Sequence, residues 1–90
     1  MYQADYSFQV NERIHVEDLS VRAKAVIRWL KGTSHPELLV EVVPGIVPDL
    51  VPGPDARRLT KADCNLAYNG GKMTTKEIWN WLYSHGIVMI

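Results

Sequence analysis

One cysteine, Cys64, is all the thiol this 90-residue chain contains. That excludes an internal disulfide framework and a thiolate metal cluster, and it fits a reducing compartment. The three histidines, His15, His35 and His85, lack the close spacing of a zinc site. No apolar run approaches the ~18 residues needed to cross a bilayer. The N-terminus, MYQADYSFQV, has an acid where a secretion signal carries basic residues, and polar residues break up any apolar run. Asn69-Gly70-Gly71-Lys72 is too short for a phosphate loop, and no dinucleotide fingerprint occurs. Together these absences predict a soluble cytoplasmic protein with no membrane span, no metal and no cofactor.

Charge of either sign is not in excess, since ten basic residues face ten acidic ones. The signs are nevertheless blocked along the chain. Arg22, Lys24, Arg28 and Lys31 dominate one stretch, Glu37, Glu41, Asp49 and Asp55 the next, and Arg57, Arg58, Lys61, Lys72 and Lys76 the third. Such blocks neutralise one another in a fold or meet an external polyanion. A composition 47% apolar and 22% charged is that of a globular domain, and the length suits one domain without staples.

Tyr2, Ala4, Tyr6, Phe8 and Val10 alternate with polar residues, the period of a half-buried strand. A helix is predicted over about Asp18–Lys31, closed by Gly32, with Leu19, Ala23, Val26, Ile27 and Leu30 on its core face. Val21, Ala25 and Trp29 form a second stripe beside that face. Leu38–Val43 reads as a short inner strand. Val-Pro then recurs at 43–44, 47–48 and 51–52, which predicts an extended apolar strap over 43–54, because proline cannot donate to a ladder. Its alternative use is as a proline-rich ligand for an aromatic groove.

Asp55 or Thr60 caps a second helix reaching Tyr68, Thr60-x-x-Asp63 being a capping-box-like start, with Leu59, Ala62 and Leu66 on its thin apolar face. Asn69-Gly70-Gly71 stops it. The third helix is expected over Thr75–His85, capped by Thr74-x-x-Glu77 and closed by a left-handed Gly86, with a terminal strand at Ile87–Ile90. The fold class predicted is α+β: three helices packed on a small, about three-stranded β-sheet in a single domain.

No spacing assembles Cys64, the histidines and the acids into a nucleophile and base, so the chain reads as a non-enzyme. A small buried cysteine is the plainer reading of Cys64. The third helix carries an apolar arc of about 200°, twice a minimal core stripe of about 100°. Ile78 and Leu82 fall near its centre, with Trp81 and Tyr83 at opposite margins. An edge aromatic left in water belongs to the residue types enriched at binding hot spots. Trp81, Tyr83 and Trp79 are therefore the expected protein interface, with Trp29 second. The apolar tail offers a sheet edge through which a homodimer would pair. Small domains of this character are common among phage and mobile-element proteins that inhibit or regulate host machinery, and a protein partner is favoured over DNA.

Helix 61–68, a turn, and helix 75–85 running into Gly86-Ile87-Val88 resemble the second half of a winged-helix domain. That resemblance implies a DNA-binding transcriptional regulator using residues 56–90, with Arg57, Arg58, Lys61, Lys72 and Lys76 as a basic edge. Its recognition helix would carry Lys76, Glu77, Asn80 and Ser84 on the polar side, only one of them cationic. The turn at Asn69–Thr74 is also longer than usual.

Overall fold

The first helix begins where a serine can take up a free amide. Ser20 has extended backbone geometry, and its side chain accepts from the Ala23 N–H, so α1 runs Val21–Gly32. Val16–Asp18 ahead of it is a single tight 3₁₀ turn, so the helix starts three residues later than the apolar period suggests. The core face is as the spacing predicts: Leu19, Ala23, Val26, Ile27 and Leu30 are all buried. The second stripe is not core, for Val21 is 81% exposed and Trp29 is exposed.

The computed structural model describes residues 13–41, 50–68 and 70–89. The alternating segment Tyr2–Val10 and the Val-Pro repeats up to residue 49 lie outside them. Within them, β1, Leu39–Glu41, pairs antiparallel with β2, Leu50–Pro52, placing Leu39 opposite Pro52. A 3₁₀ turn, Pro54–Arg58, leads into α2, Lys61–Leu66, and then α3, Lys72–Ser84. The architecture is α+β, with three helices and a two-stranded sheet among the described residues. The expected strand after α3 is not formed at residues 87–89, where Ile87 donates instead to the Leu82 carbonyl. Among the described residues both strands stand ahead of α2.

Thr60 caps α2 in a full capping box with Asp63, as the motif predicts. The helix stops at Leu66, two residues short of Tyr68, and its buried side chain is Cys64. Leu59 is buried as expected, whereas Ala62 and Leu66 face outward. The cap sets the phase of this single short helix, and that phase turns Cys64 and Ala67 inward. Gly70 then folds back against the helix end, donating to the Ala67 carbonyl. A Cβ at Gly70 would collide with the carbonyls of Cys64 and Ala67, so only glycine permits this return.

The capping box expected at Thr74 and Glu77 does not form. Helix α3 starts at Lys72 from an extended Gly71, which places Thr74 and Thr75 inside its first turn, both buried. Glu77 is engaged elsewhere, at the start of α1. The left-handed stop does form, with Gly86 at φ 81°. Trp81 is the other revision. It lies with Ile78 and Leu82 in the core at 0% exposure. The chain ahead of α1 covers its margin, since Ile14 donates to Ser84 Oγ at 3.0 Å and accepts from His85 Nε2 at 2.9 Å. The His85 ring packs edge-on to the Trp81 indole. A contact spanning 70 residues thus rotates the core face of α3 toward Trp81 and leaves Tyr83 outside.

Candidate functional site

Helices α2 and α3 meet along a shallow valley held by one polar cross-link. Thr75 Oγ1 donates to Asn65 Oδ1 at 2.9 Å. Around that bond opens a cleft of about 340 Å³, lined by Lys61, Asn65, Lys72, Thr75, Lys76 and Trp79. The register follows from helix geometry. Lys61 and Asn65 are four apart on α2, while Lys72, Thr75, Lys76 and Trp79 recur at the three- and four-residue spacing of one face of α3. Tyr83 continues that face and stacks on Trp79, with ring centroids 5.5 Å apart and planes inclined by 10°. All the other α3 lining residues precede Trp79 in the chain, so the indole closes the cleft at one end with Tyr83 behind it.

No carboxylate among the described residues lines the cleft. Among the described residues the ammonium groups of Lys61, Lys72 and Lys76 make no ion pair. The amide nitrogen of Asn65 carries two donors that the Thr75 bond does not use. Three exposed cations beside a backed indole can hold a negatively charged, partly flat ligand.

The candidates nominated by sequence separate into groups. Lys61, Lys72 and Lys76 converge on the cleft, together with Trp79, and Tyr83 lies next to it at 48% exposure. Trp81 does not belong to any surface, because its side chain is wholly interior. Trp29 is exposed but sits on α1, outside the cleft lining. Arg58 is tied to Asp55 at 2.6 Å. Arg57 lines a different cleft, of about 350 Å³, shared with Arg13 and His85. Asn65 and Thr75 were not nominated. The signal that finds them is the helical spacing just described, which becomes visible once α3 is begun at Lys72.

The remaining polar groups serve the fold. The Asp55 carboxylate accepts from the Glu37 N–H at 2.7 Å and from Arg58, and these bonds, the backbone one foremost, hold it below its ordinary range. Burial works against ionising Asp63, but the Thr60 N–H and side chain and the His35 imidazole outweigh it, so its carboxyl is also held low. His35 Nε2 stands 3.2 Å from Asp63 Oδ2; because an ionised carboxylate only accepts, that nitrogen carries the proton. Burial, aided by the neighbouring Asp63 charge, pushes the Cys64 thiol up to about 12. A thiol so protonated is no nucleophile at neutral pH. Among the described residues, no three of His, Cys, Asp and Glu gather around a metal-sized space, and no helix is long and apolar enough to cross a membrane.

No protein-family model, curated protein or solved structure matches the chain.

Proposed function

We propose that this protein is a non-enzymatic binding module, a regulator that works by holding another macromolecule against α3 and the α2–α3 cleft. The observation that carries the reading is a convergence. Trp79, with Tyr83 stacked behind it, and three of the cations expected of a basic edge, Lys61, Lys72 and Lys76, meet at one cleft. Aromatic rings with one side in water are the residue types that anchor interfaces. Three lysines with no ion-pair partner among the described residues favour an anionic docked group. The net charge of zero makes this attraction local, so specificity resides in the cleft and not in the overall field. The lone, interior thiol suits work in the reducing cytoplasm.

Affinity capture from host extract tests the reading with the wild type, a Lys61→Glu/Lys76→Glu double variant, and Trp29→Ala on another helix. The expected result is a macromolecule retained by the wild type and by Trp29→Ala but lost from the lysine variant. Equal retention by all three would remove the cleft from the function.

A further inference from the structure

We infer that the occupant of the α2–α3 cleft is single-stranded nucleic acid, with phosphates at Lys61, Lys72 and Lys76 and a base laid against Trp79. This rests on the reading above that the cleft is the docking site, and names what docks there.

Charge complementarity alone admits an acidic protein segment. The composition of the cleft favours a nucleotide chain. Lysine is depleted at protein–protein interfaces, yet it makes up half of this lining. Surfaces that bind single strands combine a cationic track for the backbone with aromatic rings on which bases stack. Both parts are present and adjacent here. The indole of Trp79 is backed by Tyr83 in a near-parallel stack, so a base arriving from the cleft side would extend an existing pile of rings. Asn65 lines the same volume, and the Thr75 bond leaves its amide donors for a phosphate oxygen or a base edge. An acidic peptide would use the ammonium groups and leave the ring idle. A duplex would use them too, but its bases are already stacked on one another and offer no face to Trp79. The cleft, at about 340 Å³, has room for about one nucleotide unit, so neighbouring units run along the exposed Lys72 and Lys76 side.

Fluorescence anisotropy of a labelled oligothymidylate of roughly twelve nucleotides tests the inference across a salt series. Unlabelled duplex, adenosine monophosphate and polyglutamate serve as competitors. The oligonucleotide should bind, with log K falling against log salt at a slope of about −2, as three neutralised phosphates on a single strand require. Trp79→Ala should weaken binding by roughly ten- to a hundredfold. The exposed double variant Lys61→Gln/Lys76→Gln should flatten the slope to about −0.7. Because Trp79 is half-buried, Tyr83→Ala provides a second aromatic variant, and a thermal melt of each confirms folding. No binding at low salt overturns the inference, as does binding indifferent to the folded variants. Competition by duplex or by the mononucleotide as strong as that of unlabelled oligonucleotide also overturns it. If polyglutamate binds instead, the occupant is an acidic protein segment, and the broader reading of the cleft stands without this one. If neither polymer binds, both readings fail.

Discussion

The carboxylate of Glu77 takes both the backbone N–H of Ser20, at 2.6 Å, and its hydroxyl, at 2.7 Å. Ser20 Oγ in turn accepts from the Ala23 N–H at 3.1 Å. The arrangement is a capping box whose acid comes from another helix, 57 residues along the chain. It satisfies orphan donors at the start of α1 and sets a negative charge where the helix dipole favours one.

Removing that charge therefore weakens two elements at once. Glu77→Ala should lower stability by about 1–2 kcal/mol in a chemical denaturation curve, and Ser20→Ala by about 1 kcal/mol. The double variant should cost less than the sum by at least about 0.5 kcal/mol. Strict additivity would mean that the two side chains act independently.

Trp81 and Trp29 should respond oppositely to the same change. Trp81 is at 0% exposure, so Trp81→Ala deletes a large interior ring and should cost about 3–5 kcal/mol. That is a large share of the roughly 5–15 kcal/mol typical of a domain. Trp29→Ala should stay within about 1 kcal/mol, as its ring is 41% exposed. Comparable losses at the two sites, measured by thermal melting, would contradict the burial described.

Acid should unfold the protein through Asp55 and Asp63. Both carboxyls titrate below their ordinary value of 3.8 in the fold. A depressed pKa contributes stability above the unfolded value, and that contribution fades as pH falls through the folded one. The melting temperature should therefore fall steeply below about pH 4. Asp55→Asn and Asp63→Asn should each lower the neutral plateau and flatten the acid limb. An acid limb unchanged in both variants would show that other groups drive it.

Cys64 should be chemically silent while the chain is folded. With its thiol pushed up to about 12 and its side chain interior, a disulfide reagent at pH 8 should label it only through unfolding. Labelling of native protein as fast as of protein in denaturant would refute this. Cys64→Ser should cost about 1–3 kcal/mol, because a hydroxyl is more costly than a thiol to take out of water.

How much of this was legible in the sequence depends on how local the deciding contact is. Leu19 and the four buried positions of α1, the Thr60–Asp63 cap and the Gly86 stop rest on neighbours within a few residues, and the pattern discloses them. Thr74-x-x-Glu77 satisfies the same local rule and still fails, because Ser20 takes the glutamate from the other end of the chain. The burial of Trp81 is hidden from the pattern for a related reason, since the segment tied to the neighbouring Ser84 and His85 comes from Ile14. The cleft falls between these cases. Its lysines and Trp79 were each nominated, but for different partners. Their union required the docking of α2 on α3, which the close return at Gly70 and the Asn65–Thr75 bond provide.

The tie between Ile14 and Ser84–His85 has a consequence for the order in which the molecule assembles. It cannot close until some 70 residues of chain have been gathered, a loop that is slow to form and early to open. The lining of the α2–α3 cleft comes from a single short stretch, Lys61 to Trp79. The receiving surface is thus local handiwork and the seam over Trp81 a distant one. The seam and the receiving surface draw on different stretches of chain, and substitutions at Ile14 and at Lys61 test them apart.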